Sequence, residues 1–259
     1  MVGRMVALLF VLAAAFADVA CAPAAGCDPH DACLRVLIVG NSYTQVNDLP
    51  AAFAALARAG GHHVDVGMAA EGGQTLSGHT TSSNTQSQLV PGRWDVVVLQ
   101  EQSQMPSVAW SRDNEMAPAA RSLVNEIRGL GARPVFFSTW AHRDGWPEQG
   151  LTSEGSMQAA IDAAYLGLGQ QLGVGVVPVG EAWTAVLAVD PTIALWQDDG
   201  SHPTAAGTFL AAAVFYAALL DADPVSASQG SGAPSVAGGA TLATVARDLL
   251  ADRTRWGLD

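Results

Sequence analysis

The stretch LRVLIVGNSYT, from Leu34 to Thr44, decides how the rest of the sequence is interpreted. Its first half is a continuous run of apolar residues, which is typical of a parallel strand buried on both faces. The run ends abruptly at GNS, so Ser42 follows the predicted strand directly. Open α/β sheets bind ligands beyond the carboxyl ends of their strands, which makes Ser42 the first candidate for a functional residue. Serine is also a common helix cap, and Ser42 by itself does not separate the two roles.

The composition favours one large α/β domain or two small ones, with a substantial core. The chain has 259 residues, of which 49% are hydrophobic. Its 12 Lys and Arg residues and its formal net charge of -12 argue against a nucleic-acid partner, because phosphate binding needs clustered basic side chains. An acidic chain is also repelled by anionic membrane surfaces.

Four further segments repeat the strand pattern and alternate with helices. Strands are predicted at residues 63–69, 94–99, 134–139 and 174–179. Helices are predicted between Asp48 and Gly60, at about 114–129, from a cap at Thr152 or Ser153 to Gly173, at 204–220 and at about 241–253. Strands that alternate with helices indicate a parallel sheet covered on both faces. The expected fold is therefore α/β, a three-layer α/β/α sandwich around a five-stranded parallel sheet.

The amino terminus has the features of an export signal. Arg4 gives it a positive start, residues 6–17 form an apolar core, and Ala15 and Ala17 supply a small-x-small cleavage site. Residues 1–20 are therefore predicted to be a signal peptide that sends a bacterial protein to the periplasm or the extracellular space. Because the apolar run is short, no transmembrane segment is expected in the mature chain.

All three cysteines lie before the first predicted strand, in a predicted leader that spans residues 21–33. In an exported protein Cys27 and Cys33 could form a small disulfide loop at the start of that strand. Cys21 would then be removed, lipidated or free. A lipid anchor at Cys21, on the cell surface, is the alternative to a cleaved signal, although Asp18 stands where lipoprotein signals usually have an apolar residue.

Polar residues follow four of the predicted strand or loop ends. They are GNSYT at 40–44, EGGQT at 71–75, QEQS at 100–103 and DDGSHPT at 198–204. Because the carboxyl ends of parallel strands meet at one edge of a sheet, these four segments are expected to converge. A serine, a histidine, an aspartate and several amide donors would then lie close together.

The order and character of these segments resemble the SGNH (GDSL-type) hydrolase superfamily and its esterases and acetylesterases. The resemblance implies a flavodoxin-like fold and a serine hydrolase. It makes Ser42 the nucleophile and Gly73 the glycine of the second block. Asp199 and His202 become the final DxxH pair.

The resemblance covers the chain from Leu34 to about Leu220. A hydrolase domain is therefore predicted at 34–225. The Gly- and Ser-rich segment and the last helix, at 226–259, are expected to pack on the same domain, because only one helix follows the loop.

The third block departs from the family pattern. The family ends this strand with Gly, one further residue and Asn, whereas the same register here gives Gln100, Glu101 and Gln102. A Gln amide donates the same hydrogen bond from a longer side chain. Gln102 is therefore the predicted oxyanion donor, with Gln100 as the alternate if the register shifts. The first block has GNSYT in place of GDSL and retains the serine.

The predicted chemistry is nucleophilic catalysis. A serine hydroxyl becomes an effective nucleophile when an imidazole takes its proton and a carboxylate orients that imidazole. His202 is the predicted base and Asp199 the orienting acid. The backbone N–H groups of Ser42 and Gly73, with the side chain of Gln102, are expected to stabilise the oxyanion.

Other residues on loops at the same edge are candidates for substrate binding. They are Glu101, Trp140, His142 and Trp196. The alternative for Trp140 and Trp196 is that they close the rim of the core. The sequence has no phosphate-binding loop and no set of metal ligands, so neither a cofactor nor a metal is predicted.

These features predict an exported ester hydrolase acting on a small-molecule or carbohydrate ester. The favoured activity is that of an O-acetyl esterase or deacetylase on acetylated carbohydrate, through an acyl-enzyme on Ser42. Two alternatives remain open. One is a lipolytic or general carboxylesterase, and the other is a non-catalytic glycan-binding module on a hydrolase-like scaffold.

Overall fold

The computed structural model describes Cys27 and residues 33–258. The predicted signal peptide, Cys21 and most of the predicted leader lie outside the described residues. A disulfide joins Cys27 to Cys33, which is the first residue of the first strand. None of the described helices is both long enough and apolar enough to cross a membrane.

Five parallel strands form the sheet. They are β1 (Cys33–Gly40), β2 (His63–Ala70), β3 (Val96–Leu99), β4 (Arg133–Ser138) and β5 (Gly175–Pro178). Their order is β2-β1-β3-β4-β5, which is the flavodoxin-like doubly wound order. The direction of winding reverses between β1 and β3, and such folds bind ligands in the crevice at the carboxyl ends of those two strands.

Helices connect the strands and cover both faces of the sheet. The helices are α1 (Ser42–Gln45), α2 (Leu49–Ala59), α3 (Leu76–His79), α4 (Ser83–Gln88), α5 (Ala109–Ser111), α6 (Ala117–Gly129), α7 (Glu154–Leu172), α8 (Val179–Val189), α9 (Ala205–Leu220), α10 (Pro224–Ser228) and α11 (Gly239–Leu249). A π-helical segment, Arg112–Met116, joins α5 to α6, and 3₁₀ turns lie at Met105–Ser107, Pro147–Gln149 and Thr254–Trp256. This arrangement confirms the predicted three-layer sandwich.

Strand β1 is buried on both faces, as its apolar sequence predicts. Val36 and Ile38 belong to the hydrophobic cluster that includes α2, α8, α9 and α11. Leu37 and Val39 belong to the cluster that includes α6 and α7. Because successive side chains of a strand point to opposite faces, each face of the sheet has its own core. Helix α9 is buried over nearly its whole surface, which explains its uniformly apolar sequence.

The sequence does not predict α8. The apolar run VGVVPVGEAW continues from β5 into this helix, so no change of period marks the boundary. Pro178 ends the strand and directly precedes the helix. The segment 77–91, predicted as a loop with one helical piece, contains α4 and most of α3.

The carboxyl-terminal segment packs on the same body as the rest of the chain. Helix α11 contacts α8 and α9, and α10 contacts α2. Arg253 donates hydrogen bonds to the backbone oxygens of Ala217 and Leu258, which attaches the last described residues to α9. Trp256 is buried in the hydrophobic cluster that includes α2, α8, α9 and α11.

A half-buried carboxyl group lies between α7 and β4. Asp162 accepts a hydrogen bond from the Ser138 hydroxyl at 3.1 Å and another from Gln158 Nε2 at 2.9 Å. Burial raises the pKa of Asp162 to about 6, although these two bonds lower it. An acid whose pKa is higher in the folded state than in the unfolded state makes the fold less stable as the pH rises between the two values.

We expect Asp162→Asn to remove this part of the pH dependence, because the Asn oxygen still accepts from both donors and the side chain does not ionise. From about pH 4 to about pH 7, the free energy of unfolding of the wild type should fall by about 3 kcal/mol relative to the variant, which corresponds to roughly two pKa units. Denaturant unfolding at a series of pH values measures the difference. Parallel pH profiles for the two proteins would contradict the expectation.

Candidate active site

Strand β1 places Ser42 at the carboxyl edge of the sheet. Ser42 is the first residue of α1, and the Asn41 side chain caps this helix by accepting a hydrogen bond from the Tyr43 N–H. Gly40 ends the strand and has no room for a side chain, because a Cβ atom there would collide with the amide oxygen of Gln100. The close approach of the β1 and β3 ends therefore explains the glycine before Asn41 and Ser42.

Gln100 directly follows β3 and is fully buried. Its Oε1 accepts from the Asn41 N–H at 2.9 Å and from the Thr44 hydroxyl at 3.0 Å. Its Nε2 donates to Asn41 Oδ1 at 2.8 Å and to the Glu101 backbone oxygen at 2.7 Å. Both amide hydrogens are thus used inside the protein. Gln100, the alternate oxyanion donor of the sequence prediction, has no amide hydrogen free for a substrate.

His202 lies between Ser42 and Asp199. Its Nε2 is 3.0 Å from the Ser42 hydroxyl oxygen, and its Nδ1 is 2.6 Å from Asp199 Oδ2. Asp199 Oδ1 accepts from the N–H groups of Ser201 and His202 at 2.9 and 3.0 Å. The DxxH spacing thus forms a turn in which one carboxylate holds both the backbone and the ring of the histidine.

The same contacts keep Asp199 ionised. Burial raises its pKa, but the hydrogen bonds from the His202 ring and from two backbone N–H groups outweigh burial and lower the pKa to about 2. An ionised Asp199 accepts a hydrogen bond from Nδ1–H of His202. The Nε2 atom of the neutral ring is then an acceptor that faces the Ser42 hydroxyl.

Two aromatic side chains hold the loop that contains His202. The Tyr43 hydroxyl is 2.7 Å from the Ser201 hydroxyl, and Trp140 Nε1 donates to the Ser201 backbone oxygen at 2.9 Å. The Tyr43 ring stacks on Trp140 with centroids 4.4 Å apart and lies edge-on to His202. Burial raises the pKa of Tyr43 to about 12, so its hydroxyl keeps its proton at neutral pH.

Gly73 and Gln102 lie on the loops that follow β2 and β3. Gly73 has a φ of +72°, in the left-handed region that favours glycine. Its N–H group and that of Ser42 have no hydrogen-bond partner among the described residues. Gln102 Oε1 accepts from the N–H groups of Gln104 and Met105. Its Nε2 makes only two long contacts, of 3.4 and 3.5 Å.

These groups surround a cavity of about 390 Å³. Its lining consists of Asn41, Ser42, Tyr43, Gly72, Gly73, Gln102, Ser103, His142, Ser201 and His202. None of these lining residues has an aliphatic side chain. Across residues 33–258 no group of three or more His, Cys, Asp or Glu side chains is arranged to hold a metal ion.

Solved structures resemble this fold, whereas no family model and no curated protein matches the chain. A protein of Slackia heliotrinireducens assigned to the SGNH hydrolases is 30% identical, with a TM-score of 0.58, over 71% of this chain and 97% of its own. The chain belongs to the SGNH hydrolase family. This membership confirms the resemblance found in the sequence and the prediction of a hydrolytic enzyme.

Two further structures share the SGNH hydrolase fold at lower identity. A DUF4886 family protein from Bacteroides uniformis is 19% identical, with a TM-score of 0.70, over 84% of this chain and 95% of its own. An acetylxylan esterase from Geobacillus stearothermophilus is 16% identical, with a TM-score of 0.55, over 71% of this chain and 92% of its own. At these identities the likeness shows the fold alone.

Three of the four candidate substrate-binding residues lie elsewhere than predicted. Glu101 and Trp140 are fully buried and do not line the cavity of this SGNH hydrolase. Trp140 is stacked between Tyr43 and Trp183, so both faces of its ring are covered. Trp196 packs edge-on against Trp183 and is also absent from the cavity lining. Trp140 lies in the core and the partly buried Trp196 packs against it, which agrees with the alternative that these tryptophans close the rim of the core.

His142, the fourth candidate, does line the cavity. Its Nε2 is 3.1 Å from the Ser103 hydroxyl. Burial lowers the pKa of His142, so its ring is neutral at neutral pH. The N–H of the next residue, Arg143, donates to the Gly200 oxygen at 2.8 Å, which ties the loop of His142 to the loop of His202.

The lining also includes residues that sequence reasoning does not select. Asn41, Tyr43, Ser103 and Ser201 are such residues. Each lies inside one of the polar segments that follow the strand and loop ends, and that position is the only signal in the sequence that could have found them. Their polar groups are not distinguishable by type from those of ordinary turn residues.

We expect Gln100→Met to destabilise the fold more than Gln102→Met, because Gln100 is fully buried and Gln102 is only partly buried. Methionine fills the space of glutamine but has no amide. In place of Gln100 it leaves the Asn41 N–H and other buried partner groups without a hydrogen bond, and each such group costs about 1 to 3 kcal/mol. Denaturant unfolding of both variants measures the difference. Equal losses at the two positions would contradict the different environments of the two glutamines.

Proposed function

We propose that this SGNH hydrolase is a serine esterase that removes acetyl groups from acetylated carbohydrate through an acyl-enzyme on Ser42. Two contacts that link Ser42, His202 and Asp199 support the proposal most directly. Ser42 Oγ is 3.0 Å from His202 Nε2, and His202 Nδ1 is 2.6 Å from Asp199 Oδ2. These distances suit proton transfer and fix the orientation of the imidazole. Ser42 is the proposed nucleophile, His202 the base and Asp199 the orienting acid.

Acylation begins when Ser42 Oγ attacks the ester carbonyl carbon and its proton passes to His202 Nε2. The carbonyl π electrons move to the oxygen and form a tetrahedral oxyanion. When this intermediate collapses, the bond to the alcohol oxygen breaks, and His202 gives its proton to that oxygen. Water then attacks the acyl-enzyme while His202 takes its proton, and Ser42 recovers a proton as acetate leaves. Asp199 stays ionised and stabilises the imidazolium.

Three donors are proposed for the oxyanion, namely the N–H groups of Ser42 and Gly73 and the Nε2 amide of Gln102. Support comes from the lack of a partner for both N–H groups among the described residues and from the long contacts of the Gln102 amide. All three residues line the same cavity. Donors placed in advance stabilise charge that develops in the transition state without reorganisation.

The lining of the cavity supports a short acyl group and a polar alcohol. Long acyl chains gain binding energy from apolar walls, and none of the described side chains that line this cavity is aliphatic. One structure that shares the fold is named an acetylxylan esterase, which is consistent with an acetylated carbohydrate substrate. His142 is the proposed contact for sugar hydroxyl groups, because a neutral imidazole can both donate and accept hydrogen bonds.

We also propose that residues 1–20 direct export, with lipidation of Cys21 as the alternative. The disulfide between Cys27 and Cys33 supports export, because disulfides persist in oxidising compartments. The enzyme would then meet its substrate outside the cytoplasm.

Ser42→Ala is expected to lower the turnover of an aryl acetate by at least about 10³-fold, because loss of the nucleophile removes the covalent route. Ser77→Ala, on the exposed surface of α3, is the matched control and should retain activity. A fluorophosphonate probe should label Ser42 in the wild type. Undiminished turnover by Ser42→Ala would refute the mechanism, and glycan binding without probe labelling would favour a non-catalytic module.

Aryl esters of graded chain length test the substrate class. We expect kcat/KM to fall by at least about tenfold from acetate to octanoate, since the lining offers no aliphatic side chain on which an added methylene would gain the usual ~0.8 kcal/mol of burial. Acetylated sugars should release acetate at rates comparable with the aryl acetate. Rates that rise with chain length would identify a lipolytic esterase instead.

A further inference from the structure

Glu101 is a buried carboxyl group at the end of β3, between the two loops that bear the proposed oxyanion donors. Its side chain is fully buried, with 0% exposure, and it does not line the cavity. The reaction steps proposed above do not use it. Its hydrogen bonds nevertheless reach both loops.

One carboxylate oxygen of Glu101 connects the two loops. Its Oε1 accepts from the Gln102 N–H at 2.7 Å and from the Leu76 N–H at 3.1 Å. Leu76 is the first residue of α3, so its N–H has no partner within the helix. Leu76 also lies only three residues after Gly73. The position of the Gly73 loop relative to Gln102 therefore depends on this shared acceptor.

The loop is held from its other side by the end of β1. Asn41 Nδ2 donates to the Gln74 backbone oxygen at 2.9 Å. Glu101 is itself fixed, because its backbone N–H donates to the Tyr165 hydroxyl at 3.0 Å. Residues 73–76 are thus bound on two sides, by an amide that follows β1 and a carboxyl group that follows β3.

Packing alone does not require a carboxyl group at this position. Burial raises the pKa of Glu101 to about 7, the Gln102 and Leu76 N–H groups lower it, and the negative charge of Glu115 raises it further. Oε2 is buried without a hydrogen-bond partner among the described residues. Methionine would fill a similar volume without these penalties, but it would leave two buried N–H groups without an acceptor.

We propose that Glu101 is a positioning residue for the oxyanion site: by binding the Leu76 and Gln102 N–H groups through one oxygen, it sets the distance between the Gly73 N–H and the Gln102 side chain. This inference rests on the proposed function. A displacement of about 1 Å in such groups can lower the rate by about 10²-fold. Because the oxyanion forms only in the transition state, the effect belongs in kcat and leaves KM nearly unchanged.

Glu101→Gln and Glu101→Met separate the acceptor oxygen from the bulk of the side chain. Gln keeps the oxygen that both N–H groups need, whereas Met has a similar size and no acceptor. On an aryl acetate, we expect Glu101→Gln to keep kcat within about threefold of the wild type, and Glu101→Met to lower kcat by about 10- to 100-fold with KM within about twofold. The kinetics are measured at a temperature at which circular dichroism shows both variants folded.

Ile127→Ala is the control for lost stability. Ile127 lies on α6, in the core on one face of the sheet, and is not among the residues that line the cavity. Its truncation should lower Tm and leave kcat unchanged. Wild-type kcat in Glu101→Met, an equal loss in Glu101→Gln, or an equal loss in Ile127→Ala would each overturn the proposal.

If Glu101→Met does not fold, Glu101→Asp takes its place. The Asp carboxylate is one methylene shorter and cannot reach both N–H groups, so kcat should fall relative to Glu101→Gln, and an unchanged kcat would overturn the proposal. A wrong proposed function gives a different result: Ser42→Ala would retain the turnover of the wild type. If only the positioning role is wrong, Ser42→Ala is inactive while Glu101→Met or its replacement keeps the wild-type kcat.

Discussion

Two hydrogen bonds between Asn41 and Gln100 join the ends of β1 and β3. The Asn41 N–H donates to Gln100 Oε1, and Gln100 Nε2 donates to Asn41 Oδ1. The backbone bond just before them runs from the Gln100 N–H to the Val39 oxygen. Beyond that bond the chain leaves the two strands toward opposite faces of the sheet, so the next backbone groups lose their ladder partners. The side chains of Asn41 and Gln100 supply hydrogen-bond partners at the point where the chain leaves β1 and continues to Ser42.

The other loops of the site are attached to this centre by two kinds of contact. Hydrogen bonds from Asn41 and Glu101 hold the loop that contains Gly73. The loop that contains His202 is held from the core, where Trp140 is stacked on both faces and donates its indole N–H to the backbone of that loop. Contacts made by residues other than the reacting ones therefore set the distance between Ser42 and the His202 ring. Such preorganisation is what efficient proton transfer and oxyanion stabilisation require.

The sequence predicts the features that follow from a parallel sheet alone. It does not predict side-chain directions that depend on the helices packed on the sheet. Strand ends meet at one edge whatever the packing, so the Ser, Asp and His that the structure brings together could be selected from their segments. After a strand ends, the sequence no longer alternates, so it does not show which way each side chain points. Gln100 is buried, for example, whereas Gln102, two positions later, lines the cavity. Trp140 is covered by Trp183 of α8. Because β5 and α8 form one apolar run, the sequence shows neither that helix nor the burial of Trp140.

The glutamine at the proposed donor position has one more rotatable bond than the asparagine of the family pattern. Ordering a free glutamine side chain costs up to about 2 kcal/mol of conformational entropy. In Gln102 that ordering precedes substrate binding, because Oε1 already accepts from the N–H groups of Gln104 at 2.9 Å and Met105 at 3.3 Å. The oxygen and nitrogen of an amide share one rigid plane, so fixing Oε1 also fixes Nε2. A longer side chain whose own loop binds its oxygen can thus present an amide hydrogen as rigidly as a shorter one. The replacement of Asn by Gln is therefore compatible with the proposed role of Gln102 as an oxyanion donor.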